Sequence, residues 1–285
     1  MTANHHNTVV LSLGNDPQVE YALNMFRSLR DAGMGEFRGD LLFTSDELSS
    51  ENQTRLRRCG VSVKVISGAS IDDAKTKLKS QTHPFGKVGK FFLIRESLKN
   101  LLNLYQYFVF MDPDVLCQAP FAVILDEISD HEYCMAPEPV DIAQNPILYD
   151  WLKVGCRDES EWDIMRRNYR FEVNTGVMAA SIPLGLEFID RFVQWQLSDD
   201  YAWLAEKSSS HRGWHDQDFF RFFHLKYQLS NLKLLTPEKV FHMVGWANFD
   251  YEWDSVDHKI RVTQERLIPN LVHFAGCSHI IKGQK

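Results

Sequence analysis

Two carboxylates separated by one proline, Asp112-Pro113-Asp114, close an apolar run from Tyr107 to Met111 and lead into Val115-Leu116. A short run rich in aromatic and β-branched residues suits a strand buried on both faces, and such strands present ligands beyond their carboxyl ends. Alternating carboxylates at that point suit a hard divalent cation. Mg2+ or Mn2+ prefers oxygen ligands, keeps positions open for phosphate and neutralises charge building on phosphate oxygens. The chemistry this suggests is cleavage of a nucleotide-sugar bond. The same residues also read as a turn in which Asp112 caps the next segment and Pro113 fixes φ, and the pair alone leaves both readings open.

The elements that would position this pair follow from the apolar pattern upstream. Thr8 to Leu13 reads as a first strand; Asp16-Pro17 then starts a helix with Val19, Ala22, Leu23, Phe26 and Leu29 along one face, stopped by Gly33. Asp40 to Thr44 is a second strand, Ser45 caps a helix through about Arg58 that ends at Gly60, and Val61 to Ile66 is a third strand. A helix from about Val88 to Leu102 feeds the strand that ends at Asp112. This βαβαβ order makes residues of about 8–115 a doubly wound, nucleotide-binding half. The Gly-x-Gly-x-x-Gly fingerprint is absent, which removes the main support for hydride transfer. Beyond it, short strands at Tyr133 to Ala136, Gly176 to Ser181 and Leu271 to Phe274 lie among helices and loops. Aromatic residues cluster at Tyr149-Trp151, at Trp162 and from Trp246 to Trp253. Flat apolar faces beside carboxylates suit sugars, although any single one of these rings is more simply core packing.

Composition narrows the class. The 285 residues are 44% hydrophobic with formal net charge −7, and lysine and arginine form no long block, so nucleic acid is not an expected partner. No stretch approaches ~18 uninterrupted apolar residues, and the polar opening lacks a signal-peptide core, so a cytoplasmic, soluble chain is expected, with peripheral membrane contact left open. Five cysteines, odd in number and without a Cys-x-x-Cys pair, indicate neither a zinc site nor a disulfide framework. No repeat or linker divides the chain, so a single unit over 1–285 is expected, with a sugar and acceptor half at about 116–276 and a tail at 277–285.

Four further blocks accompany the carboxylate pair in order: Lys90-Phe91-Phe92-Leu93, Val173-Asn174-Thr175-Gly176-Val177-Met178, His215-Asp216-Gln217-Asp218 and Leu271-Val272-His273-Phe274-Ala275-Gly276. With Val109 to Asp114 they resemble glycosyltransferase family 8, in its glycogenin-like branch, from about Val9 to about Gly276. The resemblance implies a GT-A fold, a single α/β domain with a Rossmann-like, doubly wound mixed sheet and helices on both faces. It also implies transfer of a sugar, with retention, from a Mn2+-bound (or Mg2+-bound) nucleotide-diphosphate donor. By position it makes Asp112, Asp114 and His273 the metal ligands, an O/O/N set suited to Mn2+. It puts Leu11, Asn15, Lys90, Arg95, Asp112, Gly276 and Lys282 at the donor nucleotide and its phosphates. Asn174, Asp216 and Gln217 then handle the donor sugar, with Asp216 stabilising positive charge as the glycosidic bond breaks. Read by themselves, His273 suits a core histidine, Gly276 a turn, Arg95 a solvated helix face and Asp216 a helix N-cap.

The chain also departs from the family. A lysine expected three residues after Gly276 is replaced by His279, leaving phosphate clamping to His279 or Lys282, and Gln18 stands about where a base-stacking tyrosine is common. UDP is the default nucleotide, although Asn15, Asp16 and Gln18 offer different hydrogen bonding to a base. No motif marks Tyr149, Tyr201 or Tyr251 for self-glucosylation, so the expected acceptor is separate: a polysaccharide, a lipid-linked sugar or a glycoprotein. Two competing readings remain, an inverting transferase with Asp216 or Asp218 as base, and an inactive carbohydrate-binding protein on the same core.

Overall fold

The structure is a computed structural model that describes residues 7–33, 39–79, 85, 89–138, 152–168, 172–209, 214–227, 231–244, 250–254, 256, 259–263 and 266–275. The chain opens with β1 (Thr8–Leu13), a 3-10 turn at Asp16–Gln18, α1 (Val19–Gly33), β2 (Asp40–Ser45), α2 (Ser50–Arg58) and β3 (Ser62–Val65). The expected βαβαβ order is present. After α3 (Ala69–Lys79), which the apolar pattern did not reveal, come α4 (Lys90–Leu101) and β4 (Tyr107–Met111). These strands run parallel, with β1 between β2 and β4.

The remaining elements make the sheet mixed. After β5 (Val115–Cys117), α5 (Ala122–Leu125), β6 (Tyr133–Pro137) and α6 (Glu159–Asn168), strand β7 (Val173–Ser181) lies antiparallel to both β4 and β6. Helices α7 (Ile182–Gln196), α8 (Asp199–Ser209) and α9 (Asp216–Tyr227) follow, then β8 (Leu232–Leu234) and β9 (Val240–His242). A ribbon of β10 (Tyr251–Asp254) and β11 (Lys259–Val262) precedes β12 (Leu271–His273). Among the described residues, the main sheet has seven strands in the order β3-β2-β1-β4-β7-β6-β8, and a second sheet has the order β5-β12-β9.

Alternation along the central strands builds two cores. Val9, Leu11, Phe108, Phe110, Met178 and Ala180 face a cluster with Phe91, Phe92, Phe192 and Phe220, whereas Val10, Val109, Met111, Val177 and Ala179 face one with Phe26, Leu29 and Phe121. Period-2 alternation between two apolar layers is what a strand covered on both sides requires. Two boundaries differ from expectation by more than two residues. Ser45 stays in the β2–β3 ladder, opposite Val65, and its hydroxyl turns back to Glu47, so the α2 cap falls instead to Ser49, which accepts from the Asn52 N–H at 3.3 Å. Strand β7 begins at Val173 rather than Gly176, and a register shift between Met135 and Ala136 accommodates the extra length beside β6.

Gly185 marks how tightly α7 sits on the sheet. A Cβ there would lie 2.3 Å from Cε1 of Phe108, a ring with no exposed surface. Gly185→Ala is expected to lower stability by about 1–3 kcal/mol through overpacking, measured as the shift in urea midpoint; an unchanged midpoint would mean that α7 can back away freely.

Candidate active site

Asp112 and Asp114 flank the point where the chain leaves the main sheet for the second one. The Asp112 N–H donates to the Gly176 carbonyl at 2.8 Å, and the Phe274 N–H donates to the Asp114 carbonyl at 3.1 Å, so β7 and the end of β12 hold the turn from both sides. Strand β12 lies between β5 and β9, with His273 opposite Val115 on one side and His242 on the other. This register carries His273 to the carboxylates: Nε2 lies 3.3 Å from Asp114 and 3.6 Å from Asp112. Ligand atoms of all three residues lie within 4.8 Å of one another.

The imidazole rests directly over Gly176, where a Cβ would come within 2.1 Å of Cε1. Its other nitrogen, Nδ1, is 2.9 Å from Nδ1 of the buried His242. Such a partner fixes ring orientation and leaves Nε2 directed at the carboxylates. Burial opposes charge on His273, but Asp114 and Asp112 outweigh it and raise its pKa; burial also works against ionised Asp114, and His273 reverses the balance, holding it below the usual carboxylate range. Two carboxylates and an imidazole, gathered with room left by a glycine, fit a divalent cation of the Mn2+ or Mg2+ kind.

Lys90 opens α4 and points at the same place. Its Nζ is 2.9 Å from Asp112, 3.2 Å from Thr175 Oγ1 and 3.7 Å from Asp216, and lies over the Phe110 ring at 4.9 Å. Burial disfavours its charge; Asp112 and Asp216 more than compensate, and its pKa is raised. Asp216 is the first residue of α9. It is not the cap: Asp218 reaches back to accept from the His215 N–H at 3.0 Å, as the third residue of a capping box does, and this leaves the Asp216 carboxylate to face Lys90. Burial raises the Asp216 pKa, with Lys90 opposing. Asn15, Lys90, Asp112 and Asp216 line one cleft of about 250 Å³, together with Gln18 and Asp46.

Other expected residues are placed differently. Leu11 is fully buried in the core, away from the cleft lining. Arg95 is turned to Glu96 at 3.0 Å and Asp190 at 3.5 Å, and stacks over Phe92, which makes it a tie between α4 and α7. Gly276, Lys282, Tyr149, Trp151 and Trp246 lie outside the described residues. Tyr201 is 1% exposed, whereas Tyr251 and Trp253 stand exposed on the β10–β11 ribbon. Asn174 is fully buried and both ends of its amide are engaged: Nδ2 donates to Glu138 at 2.9 Å, and Oδ1 accepts from the Gly176 N–H at 2.8 Å. Gln217 donates to the same Glu138 oxygen at 2.7 Å.

Sequence reasoning missed Thr175, Glu138, Glu172, Arg221 and His242. One signal was present: a lone arginine in Phe219-Phe220-Arg221-Phe222-Phe223 must find buried acidic partners.

No protein-family model matches the chain, and no curated protein matches it. The fold nevertheless falls in a known class: the mixed seven-stranded sheet with helices on both faces is the GT-A fold. A crystal structure of the galactosyltransferase LgtC, in complex with donor and acceptor sugar analogues, matches with TM-score 0.53 and 13% identity, over 93% of this chain and 86% of that one. At that identity the likeness establishes the architecture.

Gly176→Ala is expected to displace His273 and weaken Mn2+ binding at least about tenfold, the scale seen when a ligand loses its orientation, as read by calorimetry. Unchanged Mn2+ affinity would exclude His273 from the cation site.

Proposed function

We propose that the chain is a metal-dependent glycosyltransferase that moves a sugar from a nucleotide-diphosphate donor, UDP-sugar by default, to a hydroxyl of a separate glycan or glycoconjugate acceptor, with retention. The observation that carries this reading is the Asp112–Asp114–His273 group at the edge of the cleft, in a chain of GT-A fold. LgtC is a galactosyltransferase seen with donor and acceptor sugar analogues, and the present cleft lies at the carboxyl ends of the parallel strands, where ligands of such sheets bind.

Asp112, Asp114 and His273 hold the cation, which when bound supplies Lewis-acid neutralisation of the diphosphate. Lys90 is the chain's own cation at this point and stabilises negative charge on the departing phosphate. Asp216, held beside Lys90 at 3.7 Å, faces the anomeric carbon and stabilises the positive charge that develops there. Asn15 and Gln18, which line the same cleft, receive the nucleoside.

The test begins with a thermal-shift screen of nucleotide sugars with and without Mn2+, followed by nucleotide release from any donor that binds. Cation-dependent binding with slow release into water is expected, and a panel with no binding would leave a sugar-binding scaffold as the better reading. Asp114→Ala is expected to abolish Mn2+-dependent donor binding without unfolding the chain; a fully active variant would end the metal assignment. Asp216→Asn is expected to bind donor normally and lose about 100-fold or more in turnover, and undiminished transfer would remove Asp216 from the mechanism. Product of the opposite anomeric configuration from the donor would replace retention by inversion.

A further inference from the structure

Behind the cleft lies a buried ionic cluster that the proposed chemistry does not use. Arg221, on α9, places Nη2 2.5 Å from Glu138 Oε1 and Nη1 3.3 Å from Glu172 and 3.6 Å from Asp218, and its Nε donates to the Val173 carbonyl at 3.1 Å. The Glu138 and Glu172 side chains are each 2% exposed. The Glu138 N–H donates to the Glu172 carbonyl at 2.7 Å, so the end of β6 and the approach to β7 are also joined through the backbone.

One oxygen of Glu138 gathers most of the donors. Oε1 accepts from Asn174 and Gln217 and faces Arg221, whereas Oε2 is buried without a hydrogen-bond donor, as is Oε2 of Glu172. The Glu172 and Glu138 carboxyls are themselves in hydrogen-bond contact. Two carboxyl groups in such contact are satisfied only when one carries a proton.

We propose that Glu172, in its protonated form, donates to Glu138, that Arg221 neutralises Glu138 from the other side, and that the carboxylate so fixed positions Asn174 and Gln217 behind the cleft. Glu172 and Arg221 are thus positioning residues. The purpose of this device rests on the transferase reading; its geometry does not. Asn174 in turn holds the Gly176 N–H, and the Gly176 carbonyl holds the Asp112 N–H, so the brace reaches the carboxylate turn in two hydrogen bonds.

The charges facing Glu172 come from three elements. Arg221 and Asp218 belong to α9 and Glu138 to the end of β6; His242 on β9, near Arg221, is held well below its ordinary pKa by burial and stays neutral. Burial pushes the Glu172 carboxyl up to about 7, with Arg221 opposing and Glu138 and Asp218 reinforcing. The stability this group contributes is therefore fully present below the ordinary carboxyl value of 4.5 and is lost as pH rises to about 7. Above that range Glu172 ionises and repels Glu138, and the two amides lose their fixed acceptor.

The deciding experiment follows the side-chain amide protons of Asn174 and Gln217 by NMR in the whole chain, assigned by substitution. In the wild type they are expected to resist solvent exchange at pH 6 and to lose that protection at pH 8. Glu172→Gln, whose amide donates without ionising, is expected to keep it at pH 8, and its melting-temperature advantage over the wild type should grow from pH 5 to pH 8. Protection in the wild type that is the same at both pH values, or lost in Glu172→Gln as in the wild type, would overturn the proposal. With a donor in hand, wild-type kcat should fall about tenfold per pH unit above the midpoint at constant KM, and Glu172→Gln should lack that limb. A wild type that releases no nucleotide at any pH defeats the transferase reading while the amide measurement still decides the positioning role; a persisting limb in Glu172→Gln defeats the positioning role alone.

Discussion

The convergence of Asp112 and Asp216 on one point depends on the ammonium of Lys90. Like charges about 4 Å apart repel by about 4 kcal/mol at an effective dielectric of 20, and burial adds to that cost. Lys90 sits within 3.7 Å of both and receives a further oxygen from Thr175. A cation at the start of a helix is itself unfavourable against the helix dipole, so Lys90 and the carboxylates need each other. The apolar wall of Phe110 beneath the ammonium limits solvent and keeps the attraction strong. Everything else at the cleft is arranged around this contact: β4 delivers Asp112, α9 delivers Asp216, and β12 completes the group from the second sheet.

The cluster around Arg221 follows a different logic. Three carboxyl groups, two of them almost without exposure, surround a single guanidinium, and breaking a buried pair costs far more than the pair contributes relative to apolar packing. Such a network is weak as a source of stability and effective as a source of geometric uniqueness. It joins α9, the end of β6 and the start of β7, the three elements that carry Gln217, Glu138 and Asn174.

The central strands were legible because burial on both faces leaves a dense apolar run, and α1 because its apolar residues repeat at helical spacing. The α2 cap was not, since Ser45 and Ser49 are equally good caps by composition and only the ladder with β3 decides between them. Of the residues the structure gathers at the cleft, Asp112, Asp114, His273, Lys90 and Asp216 stood in short blocks whose residue types suggest their chemistry. Leu11 and Arg95 were expected at the donor from their places on the first strand and on the helix before Asp112, yet the facing elements turn them to the core and to Asp190. The Glu138 brace was invisible because its partners are 36 and 79 residues away, and nothing local marks a carboxylate that will be buried.

The passage from β4 to β5 runs through Asp112-Pro113-Asp114, so the polypeptide crosses from the large sheet to the small one at the carboxylates themselves. The spacing of the two side chains and the tilt of one sheet against the other are therefore a single mechanical coordinate, with a rigid proline at its pivot. An ion seated there would clamp that coordinate. Local opening of the small sheet would have to release such an ion first, which would tie the lifetime of β12 in its slot to the occupancy of the group that His273 completes.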